Sequence, residues 1–336
     1  MNGKRVLVTG GAGFIGSNLA NHLADENEVV AVDDRYLGTP ENLDDAVEFH
    51  DASVLDDDLP TDDVDVVFHL AALSSYKMHE ENPTEGARVN VEGFVNTVEQ
   101  ARNDGCDTVV YASTSSIYGS RTEPSPEEMP VEARTGYEAS KLARERYAEY
   151  FHHHYDMRTA GLRFFSVYQG FGGAEEHKGE FANTVAQFTD KIANGESPEL
   201  FGDGSQTKGE FANTVAQFTD KIANGESPEL FGDGSQTRDF THVDDIVRGI
   251  EFAADHRLQG IYNLGTGESY SFNEMVDMIN EALGTDVEPE YVENPLDVYV
   301  HDTKADCTKI REATGWEPKI TFEEGVRRVC EPYLDE

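Results

Sequence analysis

The chain has few basic residues and a large excess of acidic ones. Lys and Arg number 26 of its 336 residues against 66 Asp and Glu, which gives a formal net charge of −40. Such a surface repels phosphodiester backbones and anionic lipid headgroups, so we expect neither a nucleic-acid partner nor a membrane partner. Because the acidic residues are spread along the chain, we interpret the charge as adaptation to high salt. A merely acidic protein is the alternative.

Cysteines and long apolar runs are also scarce. The three cysteines form no C-x-x-C pair, which argues against a disulfide framework and a thiolate zinc site. No stretch approaches the ~20 apolar residues of a membrane-spanning helix, and MNGKRVLVTG contains no signal-peptide core, so we expect a cytoplasmic protein. Consecutive residues on a helix face different directions, so His152 to His154 predict no metal site.

The sequence contains one perfect tandem repeat. Residues 178–207 read KGEFANTVAQFTDKIANGESPELFGDGSQT, and residues 208–237 repeat all thirty letters. Solenoids need about three or more units, so a single perfect pair indicates a duplication within an ordinary domain. Apolar residues at steps of four, three and four predict an amphipathic helix in each copy, followed by a short extended segment and a turn. In the second copy these residues are Phe211, Val215, Phe218 and Ile222.

The two copies compete for one place in the fold. Only the second copy leads directly into Arg238. If the first copy packed in this place, the thirty residues of the second copy would have to form a loop that leaves the fold and returns just before Arg238. If the second copy packs there, the first copy forms a surface loop that begins in the Gly-rich stretch 169–173. Lengthening such a loop costs little extra loop-closure entropy. We therefore expect the second copy to be the native one.

Short β-branched runs alternate with helical patterns in the first half of the chain. This alternation predicts right-handed crossovers and a doubly wound parallel sheet of Rossmann type in an α/β protein, with ligands at the carboxyl ends of the strands. The strand runs are 5–9, 28–33, 64–69 and 107–112, and the helical patterns lie near 15–24, 86–103 and 137–151.

The alternation weakens past about residue 165, which predicts a second, smaller α/β domain that covers a substrate. We assign residues 1–165 and about 239–265 to the Rossmann domain. About 166–238 and 266–336 then form the substrate-binding domain. A capping box from Ser271 to Glu274 is expected to open a helix there.

A glycine-rich turn follows the first predicted strand. Gly10, Gly13 and Gly16 have G-x-x-G-x-x-G spacing and precede a helix. Glycines permit close backbone approach, and the helix N-terminus offers amide groups and a partial positive charge to a pyrophosphate. Asp33 ends the second strand, where a carboxylate can accept hydrogen bonds from ribose hydroxyls. A 2′-phosphate beside Asp33 and Asp34 would meet like charge, which favours NAD over NADP.

Tyr137 and Lys141 lie four residues apart on a predicted helix and share one face. A nearby ammonium lowers the pKa of a phenol, ordinarily ~10, by roughly 1–3 units, which produces a usable general base near neutral pH. Thr114 follows the fourth predicted strand, where a hydroxyl could orient the phenol and a substrate oxygen. A surface pair on an ordinary helix is the alternative for so common a spacing.

Together these motifs resemble the extended short-chain dehydrogenase/reductase superfamily, specifically its NAD-dependent nucleotide-sugar epimerases and dehydratases. The resemblance covers nearly the whole chain. The segments that carry it are TGGAGFIGS near the start, HLAAL at 69–73, VNVEG at 89–93, YEASK at 137–141, RFFSVY at 163–168, FGDGSQTRDFTHVDD at 231–245 and YNLGTG at 262–267.

The resemblance implies a role for each matching residue. Tyr137 becomes the general base, Lys141 its partner that also holds the nicotinamide ribose, and Thr114 the active-site hydroxyl. The implied cofactor-binding residues, besides Tyr137 and Lys141, are Gly10, Gly13, Phe14, Ile15, Gly16, Asp33, Asp51, Ala52, Leu70, Ala71, Ala72 and Asn90. The implied substrate-binding residues are Ser166, Lys178, Arg238 and Tyr299.

The resemblance also implies a reaction. Dehydratases of the family place Asp-Glu directly after the active-site Thr, whereas this chain has Ser115 and Ser116, so dehydration lacks its acid and base. We therefore expect an NAD-dependent epimerase closest to the UDP-glucose 4-epimerases. Its expected partners are a nucleotide sugar and a second copy of the chain in a homodimer.

Other positions depart from the 4-epimerase pattern. Ser166 replaces the usual Asn, and Leu296 and Tyr299 stand at the two positions of the R-x-x-D pair that usually supplies a second Arg. Tyr299 and the segment His177-Lys178-Gly179 are similar to the heptose 6-epimerases, which therefore stay an alternative. A non-catalytic module that senses NAD(H) is the alternative from a different class.

Overall fold

The computed structural model describes residues 1–169, 214–294 and 299–334, and a parallel sheet of seven strands lies at its centre. The strands, in chain order, are β1 (Arg5–Thr9), β2 (Glu28–Asp33), β3 (Glu48–Asp51), β4 (Val66–His69), β5 (Thr108–Thr114), β6 (Arg158–Phe164) and β7 (Gly260–Leu264). Across the sheet they run β3-β2-β1-β4-β5-β6-β7. The predicted Rossmann-type α/β fold is confirmed.

Both faces of the parallel sheet are covered by helices, because the crossovers that join parallel strands place helices there. Val6 and Val8 pack with α1 (Phe14–Ala24) and α7 (Val243–Asp255) on one face. Leu7 packs on the other face with α4 (Gly93–Asn103) and α5 (Gly136–Tyr155). Successive strand residues point to opposite faces, which explains the continuous apolar runs.

The strand order reverses beside β1. The chain passes from β1 to β2 and β3 on one side and then returns to place β4 on the other side. The loops after β1 and β4 therefore diverge at the carboxyl edge of the sheet. A crevice at such a point is where open α/β sheets bind ligands.

The predicted helical pattern near 86–103 is confirmed, and the structure places a π-helical turn within it. The segment forms a short helix, α3 (Pro83–Ala87), one π-helical turn at Arg88–Glu92 and then α4. Asn90, at the centre of the π turn, is fully buried and bonded to two other segments. A single π turn is rare and frequently marks a functional position.

A second apolar cluster lies outside the sheet. It is built from α6 (Thr214–Ala223), α8 (Phe272–Leu283) and α10 (Phe322–Leu334). The predicted capping box opens α8, since the Ser271 hydroxyl accepts from the Glu274 amide at 3.1 Å and the Glu274 carboxylate accepts from the Ser271 amide. None of the described helices combines the length and apolarity needed to cross a lipid bilayer.

The second copy of the repeat contributes α6 to this cluster. Val215 and Ile222 are fully buried and Phe218 is 7% exposed, as the apolar spacing predicts. The expected extended segment is the strand Glu229–Phe231, and Gly232 and Gly234 follow it with positive φ angles. Phe211 and the whole first copy lie outside the described residues.

We expect matched substitutions in the two copies to have unequal effects. Val215→Asp places a charge in the cluster, where an unpaired carboxylate is strongly unfavourable. Val185→Asp changes the identical position of the first copy. Thermal unfolding followed by circular dichroism should show a large loss of stability for Val215→Asp and a small one for Val185→Asp. Equal losses, or a larger loss for Val185→Asp, would contradict the assignment of the second copy as native.

A shortened chain provides the companion test. Removing thirty residues, 178–207, from 336 leaves 306 and joins His177 to an identical Lys-Gly-Glu sequence. We expect this variant to fold with at least the stability of the parent. A soluble variant that binds its ligand but loses activity would show that the extra copy has a function.

Candidate active site

The predicted glycine-rich turn joins β1 to α1 at the crevice. Gly10 has a φ angle of +67°, and a Cβ built on it would lie 2.6 Å from the Ala71 backbone nitrogen. Both the backbone angle and the neighbouring segment therefore require glycine. Gly13 donates its amide to the Gly10 carbonyl at 3.1 Å, and Gly16 packs against that same carbonyl. The turn is compact and lined by main-chain atoms.

Helix α1 begins directly after this turn. No side chain caps its N-terminus at Gly13, and its first turn contains no acidic residue. The partial positive charge of the helix end is therefore not neutralised by the protein's own first turn, which suits an anionic ligand. Phe14 and Ile15, predicted to border the ligand, both pack against the sheet.

Asp33 lies at the end of β2 and is 9% exposed. Its carboxylate accepts hydrogen bonds from the amides of Ala12 at 3.1 Å and Arg35 at 2.8 Å. Burial raises the pKa of Asp33, and the two backbone donors oppose that effect. The Ala52 amide bonds to the Asp33 carbonyl at 3.2 Å. The carboxylate is thus fixed beside the glycine turn.

Asp51 ends β3, in register with Asp33 at the end of β2, and its contact with the cofactor stays a prediction. Its carboxylate pairs with the Arg35 guanidinium at 2.7 Å, and both side chains are more than half exposed. Arg35 is the basic residue closest in sequence to Asp33, and it is already paired with an acid.

The loop after β4 lies against the glycine turn. The amides of Leu70 and Ala71 bond to the Thr9 carbonyl and hydroxyl, at 3.0 and 3.4 Å. Ala72 follows in the same partly exposed loop. Leu70, Ala71 and Ala72 are thus brought to the crevice, as predicted.

Asn90 fastens this loop to helix α5. Its side-chain oxygen accepts from the Leu73 amide at 2.8 Å, and its nitrogen donates to the Leu73 carbonyl and to the Ser140 hydroxyl at 3.1 and 2.9 Å. The side chain is fully buried. Asn90 therefore supports the crevice through protein contacts. The prediction did not include Ser140, although it lies in the YEASK motif.

A capping box fixes the beginning of α5. The Thr135 hydroxyl accepts from the Glu138 amide at 3.2 Å, and the Glu138 carboxylate accepts from the Arg134 and Thr135 amides. Tyr137 is half-buried in this first turn. The sequence pattern T-x-x-E from Thr135 to Glu138 is typical of such a helix start.

The structure brings Tyr137 and Lys141 together. The Lys141 Nζ lies 5.6 Å from the centroid of the Tyr137 ring. Lys141 is 2% exposed, and its ammonium donates to the Ala112 carbonyl at 3.3 Å. Burial, followed by the nearby Arg144 cation, lowers the pKa of Lys141 well below its ordinary value.

His79 packs edge-on against Tyr137, with ring centroids 5.8 Å apart and planes at 70°. The His79 Nε2 lies 3.1 Å from the Leu73 carbonyl. Burial lowers the pKa of His79, so the ring is neutral at pH 7 and donates to that carbonyl. The prediction missed His79, which carries no motif of its own in α2 (Tyr76–Glu81).

Thr114 ends β5 at the same edge of the sheet, two residues after the carbonyl that holds Lys141. Its hydroxyl lies 3.0 Å from the Ser116 hydroxyl and also accepts from the Ser116 amide. Thr114 is 8% exposed. The three predicted catalytic residues therefore lie along one edge.

A buried ion pair holds α5 on the sheet. Arg163 and Glu145 form two contacts, at 2.9 and 2.8 Å, and the Ser113 hydroxyl donates to Glu145 at 2.6 Å. Arg163 also donates to the Tyr118 hydroxyl at 2.7 Å. This network fixes Lys141, one turn earlier on the same helix, relative to the end of β5.

The predicted substrate residues lie on the other side of the crevice. The Arg238 guanidinium donates to the carbonyls of Thr237 and His301, and it lies 5.2 Å from the Tyr299 ring centroid. Ser166 is half-buried, and its carbonyl accepts from Thr241. Arg238 and Tyr299 are thus brought together. Lys178 and Leu296 lie outside the described residues.

Asp239 fixes the segment that carries Arg238. Its fully buried carboxylate accepts from the Thr266 amide and hydroxyl, both at 2.7 Å, and from the amides of Gly267 and Ala305 at 2.9 and 3.0 Å. A buried charge needs such donors. Asp239 was not predicted as a support for the site, although it follows Arg238 directly.

The sequence matches two family models. The NAD dependent epimerase/dehydratase family covers residues 6–209, and GDP-mannose 4,6 dehydratase covers residues 200–329. A curated relative, the UDP-glucose 4-epimerase of Mycolicibacterium smegmatis, is 34% identical over 340 residues, with 97% of each chain covered.

Solved structures agree with this match over the whole chain. UDP-glucose 4-epimerase of Thermotoga maritima, with UDP-glucose, has a TM-score of 0.82 at 29% identity and covers 98% of this chain and 99% of that one. UDP-N-acetylglucosamine 4-epimerase of Methanobrevibacter ruminantium M1, in complex with UDP-N-acetylmuramic acid, has a TM-score of 0.82 at 26% identity, with coverage of 100% and 99%.

The geometry of the site and the similarities to known proteins indicate the same protein family. The family model spans more than half of the chain, the glycine turn and Asp33 lie beside the point where the strand order reverses, and the Tyr137–Lys141 pair lies against the end of β5. NAD is the cofactor of this group. The chain therefore belongs to the NAD-dependent epimerase/dehydratase family of nucleotide-sugar enzymes, within the extended short-chain dehydrogenase/reductases.

Proposed function

We propose that the protein is a nucleotide-sugar epimerase that interconverts UDP-glucose and UDP-galactose at C4. The observation that carries this proposal is the buried Lys141 ammonium under Tyr137, at the edge of a crevice that suits NAD. The similarity to UDP-glucose 4-epimerases supports the choice of sugar.

The residues at the crevice fit NAD. A Cβ at Gly10 would collide with the loop after β4, so only main chain lines the place proposed for the pyrophosphate. The Asp33 carboxylate is held at the end of β2, and its oxygens keep lone pairs for the adenosine ribose hydroxyls. NAD, when bound, would supply the acceptor and donor of the hydride that leaves the sugar and returns to it, so no separate redox partner would be needed.

Tyr137 is the proposed general base, with Lys141 as its cationic partner. The phenol accepts the proton of the C4 hydroxyl as a keto group forms at C4, and it gives the proton back after the sugar has turned. A buried ammonium beside the ring favours the deprotonated phenol, since opposite charges stabilise each other strongly where water is excluded. Thr114 is proposed to hold the same substrate oxygen by a hydrogen bond.

The residues after Thr114 disfavour dehydration. Loss of water from a sugar needs one group that gives and one that removes a proton. Ser115 and Ser116 occupy those positions, and the Ser116 hydroxyl is bonded to Thr114. Unassisted hydroxyls are poor acids and bases near neutral pH, so epimerisation is the chemistry that these residues support.

Arg238 is the proposed contact for the diphosphate of the substrate. Arg238 is 7% exposed, and its guanidinium donates to the carbonyls of Thr237 and His301. A cation with little hydration attracts a phosphate strongly. Ser166, Lys178 and Tyr299 are proposed to complete this part of the site. We also propose a homodimer, and a substrate-binding domain formed by about 166–238 and 266–336.

The first experiment supplies a panel of sugar nucleotides and separates the products by chromatography. We expect UDP-glucose to give UDP-galactose, and Tyr137→Phe to abolish this conversion while NAD stays bound. The change removes the proton acceptor and leaves the pyrophosphate site intact. Tyr147→Phe is the matched control, because Tyr147 lies on the same helix but is 42% exposed. It should keep the wild-type rate.

Three outcomes would overturn parts of this assignment. An epimerisation rate of Tyr137→Phe within tenfold of the wild-type rate would show that Tyr137 is not the base. Inversion of a heptose nucleotide at C6, with UDP-hexoses unchanged, would identify the alternative epimerase. No conversion of any nucleotide sugar, with NAD bound, would favour a sensing module.

Cofactor preference is the second prediction. Wild type should bind NAD more tightly than NADP, because a 2′-phosphate would meet Asp33 while Arg35 is already paired with Asp51. Asp33→Ser should reduce the preference. Asp58→Ser is the control, because Asp58 is an exposed aspartate outside the glycine turn and the end of β2. Dissociation constants from calorimetry measure both effects, and tighter NADP binding by wild type would contradict the prediction.

A further inference from the structure

Helix α5 buries a second cation below the Tyr137–Lys141 pair. Arg144 is fully buried, three residues after Lys141. Its Nε donates to the Asn90 carbonyl at 2.5 Å and its Nη2 donates to the Ala71 carbonyl at 2.7 Å. Its Nη1 has no hydrogen-bond partner. The guanidinium thus joins the two segments that line the crevice.

No carboxylate neutralises this cation within the part of the chain that the structure describes. Its neighbour Glu145 is committed to Arg163 and Ser113. Lys141 is also buried, and its ammonium donates to the uncharged carbonyl of Ala112. Two buried cations one turn apart are unfavourable unless an anion forms beside them.

The ionisable groups around Arg144 come from four elements. They are Tyr137, Lys141 and Glu145 on α5, Tyr111 on β5, His69 on β4 and His79 on α2. Burial raises the pKa of Tyr111 well above its ordinary value and lowers that of His69 and His79, so none of these three carries a charge near neutral pH.

Tyr137 is the remaining group that can become an anion there. It is half-buried and faces the crevice edge in the first turn of α5. Tyr137 and Arg144 lie seven residues apart on α5, which places both on one face of the helix, so a tyrosinate at 137 would stabilise the charge of Arg144. Electrostatic interaction is mutual, so the Arg144 charge must stabilise the tyrosinate by the same amount.

We propose that Arg144 is a positioning residue with two tasks: it braces the Ala71 and Asn90 segments against each other, and it supplies a second fixed positive charge that favours deprotonated Tyr137. The inference rests on the proposed function, in which Tyr137 is the base. Lys141 at the phenol and Arg144 behind it together provide the positive pole of the site.

The charge part is tested by titrating the phenol directly. Tyrosinate absorbance in the near ultraviolet is measured against pH for wild type and for Tyr137→Phe, and the difference isolates Tyr137 from the other tyrosines. The same pair of measurements is made in Arg144→Gln and Arg144→Met. Arg144→Lys keeps the charge, and Arg146→Gln is the matched control, because the Arg146 side chain is 72% exposed.

Removal of the charge should move the Tyr137 titration to higher pH by about one unit or more. The low-pH limb of the kcat profile should move with it, because the rate rises as the base loses its proton. Arg144→Lys and Arg146→Gln should titrate like wild type. A titration unchanged in Arg144→Gln and Arg144→Met would overturn the charge part. Since the absorbance needs no substrate, this result is independent of whether the proposed epimerase activity is found.

The bracing part is tested with NAD binding. Arg144→Lys cannot keep both carbonyl contacts, so its NAD affinity should fall about tenfold while its phenol titration stays in place. If Arg144→Gln and Arg144→Met both fail to fold, the Arg144→Lys variant alone tests the proposal. A shifted titration or an unchanged NAD affinity in that variant would overturn the proposal.

Discussion

The bidentate ion pair between Glu145 and Arg163 joins helix α5 to β6, and Ser113 extends it to β5. Lys141 lies one turn before Glu145, so its ammonium is held against the Ala112 carbonyl. Removing one partner of a buried ion pair typically costs about 3–5 kcal/mol, because a charge is left uncompensated. This contact helps to fix Lys141 relative to the end of β5, while the capping box at Thr135 fixes the first turn of α5.

The second constraint is the close approach of main chain to main chain at the crevice. Gly10 lies too near Ala71 for any side chain, and Asn90 fastens the following loop to Ser140 on α5. The cofactor place proposed here is therefore made by backbone atoms of β1 and β4 and is closed by the helix that carries Tyr137. The chemistry of the site and the fold of the sheet share the same contacts.

Strands β1, β2, β4 and β5 were predictable because they are runs rich in β-branched residues, whereas β3 and β6, which read EFHD and RTAGLRF, carry no such run and were not predicted. Tyr137 and Lys141 were predictable because a helix places residues four apart on one face. The supports were not: Arg144, Ser140 and His79 acquire their roles from segments that are far apart in sequence. The π turn at Asn90 likewise depends on contacts that a helical pattern does not reveal.

The duplicated segment shows the same limit. Identical letters predict identical helices, yet only the position of the second copy next to Arg238 distinguishes the two, and Val215 and Ile222 of that copy are buried in the second apolar cluster. Sequence identity decides local structure, whereas the connection to neighbouring segments decides which copy can pack. The pairing of Asp51 with Arg35 is likewise a contact that the sequence pattern did not predict.

The central claim is that the sugar is inverted through a hydride that leaves and returns on the same carbon. UDP-glucose deuterated at C4, incubated with the enzyme in ordinary water, measures this directly when the product is examined by NMR. The account predicts UDP-galactose that retains deuterium at C4. Replacement of that deuterium by hydrogen from water would show that the centre is inverted by proton exchange, and it would contradict the roles given to NAD and Tyr137.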